Sequence, residues 1–196
     1  MALPQYPHMD VEDYLVLDDN SKNVRYEYLD GELRMLAGGS TYHSMIKTNM
    51  TGIVYGLLRK KTCRAFDSDI RLQLSSTRYV YSDLVISCDQ RDQMLSKQIR
   101  YPRVVVEVLS QSTEVTDRIK KFAYYRECPT VEEYVMIDSR KVLIEIYRRE
   151  EKKWGLYTFG AEEEVRLESL DIQFFVNDVY EDIDFDQTVL DDMESE

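Results

Sequence analysis

The 196-residue sequence predicts a mixed α/β fold, with a mixed central β-sheet flanked by helices. Three observations carry that prediction. Val104-Val105-Val106-Glu107-Val108-Leu109 is an almost unbroken β-branched and aliphatic run, which reads as a strand buried on both faces. A helical pattern from about Val115 to Arg126 follows it and allows the strand near Tyr134 to return in parallel. Ile46, Met50, Ile53, Val54, Leu57 and Leu58 keep the 3.6-residue period of a long helix with one apolar face.

In chain order, a loose start with Pro4 and Pro7 precedes Val11, Tyr14 and Leu15, whose spacing suggests a short helix ending at Asp18-Asp19-Asn20-Ser21. Arg25–Leu29 and Glu32–Leu36 flank Asp30-Gly31, a pair suited to a type I′ hairpin because both turn residues need positive φ. That register sets Tyr28 opposite Leu33, Tyr26 opposite Met35 and Glu27 opposite Arg34, with the four apolar residues on one face. Gly38-Gly39-Ser40-Thr41 leads into the long helix, where Gly52 and Gly56 suggest close approach of another backbone and Arg59-Lys60-Lys61 suits the negative end of the dipole. Cys63–Leu74 and Arg78–Ser87 read as two strands, and Asp89–Lys97 as a polar surface excursion. Beyond the central strand, Ile119, Phe122 and Ala123 mark the core side of the next helix, which Cys128-Pro129 ends. Glu133–Ile137 and Val142–Arg148 read as strands around Asp138-Ser139-Arg140, with more β structure at Trp154–Phe159 and Val165–Leu167.

This organisation fits a single domain over residues 1–180 and an acidic tail over 181–196. The net charge is −12, but eleven of the 37 acids fall after residue 166, where there is no Lys or Arg. The preceding body therefore carries 26 acids against 25 bases, a balance that leaves room for a local basic cleft. No apolar run has the length of a membrane span, and the N-terminus lacks a signal-peptide pattern, so the expected location is cytoplasmic. Cys63, Cys88 and Cys128 are isolated and lack zinc-site spacing, which predicts reduced, structural thiols.

The acid in the central strand is the leading candidate for chemistry. A buried carboxylate needs a cation, hydrogen bonds or a proton. Asp83 also interrupts an apolar strand, 24 residues earlier. On neighbouring strands the two carboxylates can converge and bind a hard divalent cation, with water and substrate phosphate completing its shell and a nearby lysine neutralising developing charge.

Several short stretches also occur in the order of a known family: Tyr26-Glu27-Tyr28-Leu29-Asp30-Gly31-Glu32, His43, Ser82-Asp83, Val106-Glu107-Val108-Leu109-Ser110, Lys121 with Tyr125, and Glu133–Asp138. Over roughly residues 10–180 the chain resembles the Uma-type family of restriction-endonuclease-like proteins, common in cyanobacteria and part of the PD-(D/E)XK nuclease superfamily. The resemblance implies a restriction-endonuclease-like core and an endonuclease that hydrolyses nucleic-acid phosphodiester bonds, with DNA as the expected substrate. It further implies Mg2+ or Mn2+ held by Asp83 and Glu107, Lys121 as the catalytic lysine, and a homodimer. Two departures stand out. Ser82 replaces the usual proline, and Leu109 occupies the usual lysine position, which makes Lys121 the substitute.

Plainer readings compete at several positions. Glu107 has a salt bridge to a core-edge arginine as its alternative. Lys121, in a regular helix, points away from the core stripe toward a cleft or solvent. Glu27 is a possible third acid near the metal, but pairing with Arg34 explains it and is preferred. His43 is a possible substrate-positioning or water-positioning residue, with a structural hydrogen bond preferred. Ser110 and Ser112 read as caps, and Tyr124 and Tyr125 as packing. The alternative function is a catalytically inactive nuclease-like binding or assembly module. A carboxylate-pair glycosidase fits poorly because it leaves Lys121 unexplained.

Overall fold

The computed structural model describes residues 8–36, 38–94, 97–111 and 113–185. In chain order they form α1 (Val11–Asn20), β1 (Tyr26–Leu29), β2 (Glu32–Met35), α2 (Thr41–Leu58), β3 (Arg64–Asp67), β4 (Arg71–Ser75), β5 (Arg78–Val80), β6 (Leu84–Ser87) and β7 (Gln98–Ile99). The chain continues through β8 (Pro102–Leu109), α3 (Phe122–Glu127), β9 (Glu133–Asp138), β10 (Ile144–Arg149), β11 (Trp154–Phe159), β12 (Glu164–Leu167), β13 (Ile172–Phe175) and α4 (Val176–Val179). A π-helical turn, Thr116–Lys121, runs directly into α3.

The mixed sheet is six-stranded, in the order β11-β10-β9-β8-β6-β3. β8 and β9 pair in parallel, as the intervening helix requires, while β6 and β8 are antiparallel. Alternation along β8 divides its side chains between two cores. Val104, Val106 and Val108 face the α2 residues Ile46, Met50, Val54 and Leu58 together with apolar side chains of β12, β13 and α4. Val105 and Leu109 face a second cluster with Leu29, Leu72, Val80, Tyr125 and Tyr134, drawn from α3, β9 and the five-stranded sheet β2-β1-β5-β4-β7. Each fully buried valine or leucine contributes roughly 1.5–3 kcal/mol, so β8 is held strongly enough to carry one polar residue.

The hairpin register is as predicted, with Asp30 at φ 53° and Gly31 at φ 98°. Its apolar face is incomplete, because Met35 is 63% exposed. Along α2, Leu57 is partly exposed at the edge of the buried stripe, and among the described residues no backbone from another element comes within 4 Å of where a Cβ on Gly52 or Gly56 would sit.

Three expectations require correction. The two strands read over 63–74 and 78–87 each break in the middle, giving β3, β4, β5 and β6 in two different sheets. Asp83 therefore lies in the bend just before β6, outside the strand. On the helix after β8, Phe122 packs against the second core as expected, but Ile119 is 66% exposed and Lys121 is buried. The cause is the π turn: Phe122 N–H donates to the Asp117 carbonyl five residues back, which widens the turn and changes which side chains face the sheet. Finally, Cys63 and Cys88 form a disulfide, and only Cys128 among the three is a free thiol. Antiparallel pairing of Arg64 with Ser87 sets the next residues out, Cys63 and Cys88, face to face, a proximity hidden by their separation of 25 in sequence.

β13 and α4 lie beyond the expected elements: each is only four residues long, and Gln173 in the strand and Asn177 and Asp178 in the helix interrupt the apolar pattern. After α4, Tyr42 donates its hydroxyl to the Asp184 carbonyl, and Phe185 packs edge-on against Tyr42 and Tyr180. Pro4, Pro7, Ser112 and the tail from 186 onward lie outside the described residues.

Candidate active site

Antiparallel pairing of Leu84 with Val106 puts the residue before β6 level with the one after Val106, so Asp83 and Glu107 meet at one end of the sheet. The β6–β8 register ends at that point, and Asp83 Oδ2 accepts from Val108 N–H at 2.8 Å. Both carboxylates line a cleft of about 660 Å³, together with Arg25, His43, Lys47, Asp117 and Lys121.

α2 brings His43 in from the opposite wall. Ser40 caps the helix by accepting from the His43 backbone N–H, which fixes the first turn. His43 Nε2 lies 3.0 Å from Asp83 Oδ1. The histidine thus makes the hydrogen bond expected of it, but to the candidate catalytic acid. Burial raises the pKa of Asp83, and the hydrogen bond and charge of His43, with the Val108 N–H, outweigh that effect and hold it below the ordinary carboxylate value.

The π turn supplies Lys121. Its ammonium lies 3.0 Å from Glu107 Oε1, 2.9 Å from Glu27 Oε1 and 3.4 Å from Asp117 Oδ1. All four side chains are at most 6% exposed. Tyr125 donates its hydroxyl to Glu107 Oε1 at 2.7 Å. Glu107 therefore has a lysine where an arginine was the competing expectation. Leu109, on the same face of β8, is packed in the second core, so the lysine reaches Glu107 from the helix instead of from the strand.

The preference for pairing Glu27 with Arg34 is overturned. Their Cα atoms are in register, but the Glu27 side chain is fully buried and turned to Lys121, and it also accepts from Tyr81 N–H at 3.2 Å. Burial on the inner face of the hairpin selects the buried ammonium over the exposed side of β2. Asp117 and the hydroxyl of Tyr125 were missed as members of the cluster. With Lys121 they recur every four residues, and that polar stripe on a helix is the signal that marks them.

Three carboxylates, Glu27, Glu107 and Asp117, thus share one ammonium, and a fourth, Asp83, stands beside them on His43. Burial raises the Glu107 pKa well above its ordinary value; Lys121 opposes the rise, and Asp117, Asp83 and Glu27 add to it. Asp117 is raised as well, by burial against the pull of Lys121. For Lys121 burial acts downward, but Glu107, Glu27 and Asp117 prevail and keep it charged. Among the described residues Glu27 Oε2 and His43 Nδ1 are buried with no hydrogen-bond partner. The cluster has more acidic side chains than its own cation can pair.

That surplus fits a hard cation. No three His, Cys, Asp or Glu side chains among the described residues form a metal-holding group; of the acids that line the cleft, Asp83 and Glu107 are the two that the strand register sets side by side. One or two carboxylates completed by water and substrate phosphate is the usual magnesium arrangement.

The model of the family described as "Putative restriction endonuclease" matches residues 11–177. The chain belongs to the Uma2 family. This Uma2 chain is 31% identical over 182 residues to the uncharacterized protein slr1290 of Synechocystis sp., covering 92% of its own length and 95% of the relative's. It is 28% identical over 151 residues to sll1609 of the same organism, also uncharacterized, with 76% and 82% covered. A crystal structure from Anabaena variabilis, described as a putative nuclease belonging to DUF820, superposes with a TM-score of 0.71 at 16% identity, covering 88% of this chain and 97% of that one. The Uma2 chain therefore has a restriction-endonuclease-like fold. Among its described residues no helix is long and apolar enough to cross a membrane.

Proposed function

We propose that the chain is a metal-dependent endonuclease that hydrolyses phosphodiester bonds of nucleic acid, with DNA as the substrate. The observation that carries this reading is the convergence of Asp83, Glu107 and Lys121 at one end of the sheet, on a cleft whose buried acids outnumber their cation. Asp83 and Glu107 are the residues to hold Mg2+ or Mn2+, which when bound would polarise the phosphate and stabilise developing negative charge.

The remaining contributions come from the chain itself. His43 and the Val108 N–H fix the two oxygens of Asp83, so that the carboxylate cannot rotate away from the cleft. Tyr125 and Lys121 hold Glu107 Oε1 from the helix side. Lys121, kept protonated by its three acidic neighbours, is the fixed positive charge beside the reacting phosphate. Glu27 and Asp117 keep the ammonium in place.

A specific observation favours the second reading, a binding or assembly module without catalysis: Lys121 is already engaged by three carboxylates. Nicking of supercoiled plasmid decides between them, measured in manganese, in magnesium and in chelator beside folded Asp83→Ala and Glu107→Ala variants. Metal-dependent nicking, lost in both variants, is the expected result. Activity that survives both substitutions would remove these acids from the mechanism, and folded, metal-loaded protein that cleaves neither plasmid nor single-stranded DNA would favour the module.

A further inference from the structure

We propose that Lys47 is a substrate-contacting residue, the cation that holds the phosphate next to the one presented to Asp83 and Glu107; this rests on the nuclease reading above. Lys47 stands on α2 four residues after His43, so the two side chains lie one above the other on the same face. His43 touches Asp83, and Lys47 lines the same cleft. Its position is thus one helical turn from the histidine that touches the candidate metal ligand Asp83.

The charges of the cleft single it out. Its cations are Arg25, Lys47 and Lys121. Lys121 is saturated by three acids. Arg25 pairs with Asp69 at 3.7 Å, reaches the Ser21 carbonyl and lies over the Tyr81 ring. Lys47, half-buried, donates to the Ser68 hydroxyl at 3.2 Å, and among the described residues no carboxylate lies within ion-pairing distance of it. In a chain with 37 acids and 25 bases, a half-buried ammonium without an acid is unusual.

Partial burial strips water from the ammonium, and a neutral hydroxyl replaces that water without supplying an anion. A phosphodiester supplies the missing charge, and lysine binds phosphate as a compact point charge without demanding one geometry. The acids of the floor repel a phosphate that arrives without a metal. A cation on the wall therefore gives the strand a hold that does not depend on the metal site.

The test is fluorescence anisotropy with a labelled oligodeoxynucleotide, single-stranded in one arm and duplex in the other. Full-length protein is titrated in EDTA across a range of salt concentrations, for wild type, Lys47→Ala and Lys47→Arg. Loss of one phosphate contact makes the slope of log affinity against log salt shallower by about 0.7 for a single strand or about 0.9 for a duplex. Lys47→Ala is expected to show that change in at least one arm, and Lys47→Arg to restore the wild-type slope. A purely structural bridge to Ser68 would weaken binding in Lys47→Ala at every salt concentration without changing the slope, which overturns the proposal. An unchanged affinity and slope overturns it too while leaving the nuclease reading intact. Wild-type protein that binds neither oligonucleotide, in EDTA or in calcium, overturns both.

Discussion

Lys121 Nζ lies 3.0 Å from Glu107 Oε1, both residues are buried, and fourteen positions separate them along the chain. The contact joins the π turn to the central strand at the only point where β8 carries a charged side chain between Val104 and Leu109. A buried pair of this kind adds little net stability relative to an apolar pair, but breaking it from one side is costly.

Replacing Lys121 with methionine leaves Glu27, Glu107 and Asp117 without their shared counter-charge. A loss of about 3–5 kcal/mol is expected in urea unfolding. Adding Glu107→Gln to the same chain should recover part of that loss, because one of the stranded charges is removed. Strictly additive losses in the double-mutant cycle would show that the two side chains are not coupled.

Stability should also depend on pH through Glu107. Its folded pKa is raised by burial, with the neighbouring acids adding to the rise, so the folded protein holds a proton that the unfolded chain releases near the ordinary glutamate value of 4.5. The contribution is complete below that value and is lost as pH rises through the folded pKa. Asp83, whose pKa is lowered, acts oppositely and in a lower window: its contribution is present above the ordinary aspartate value of 3.8 and is lost as pH falls through the folded pKa. Unfolding curves from the acid range to neutrality should therefore decline toward neutral pH in the wild type and flatten in Glu107→Gln. A wild-type profile that rises over that interval would contradict the shift assigned to Glu107.

The π turn makes a prediction opposite to that of a regular helix. Ile119 is exposed, so Ile119→Asp should change stability by no more than about 0.5 kcal/mol. Phe122 stacks on Tyr147 with ring centroids 3.8 Å apart and meets Trp154 edge-on, and Phe122→Ala should cost about 3 kcal/mol. Comparable losses at both positions would mean that the helix keeps the α-helical phase.

The Cys63–Cys88 disulfide ties the edge strand β3 to β6 across a 25-residue separation. A loop of that size corresponds to about 3 kcal/mol of stabilisation in the chain-entropy description. Reductant should lower the Tm of the wild type and leave that of Cys63→Ser unchanged. Alkylation of native protein followed by mass measurement supplies an independent count, with Cys128 as the remaining buried thiol.

The sequence by itself determined the parts whose physics is local or strictly periodic. β8 declared itself because a doubly buried strand must be apolar on both faces, and the hairpin because Asp30-Gly31 accommodates positive φ. The α2 stripe followed from its period, and Asp83 and Glu107 from being acids in apolar surroundings. Only the tertiary structure decided which partners those acids meet. Glu27 chose Lys121 over Arg34 because its side of the hairpin is buried, a preference that cross-strand register alone does not contain. Cys63 met Cys88 through the antiparallel register of two strands whose boundaries the sequence left blurred. Lys121 reached the core because one turn of helix formed hydrogen bonds five residues back, and a phase change of that kind depends on how the helix packs against Glu107 and Tyr134, not on its own side-chain pattern.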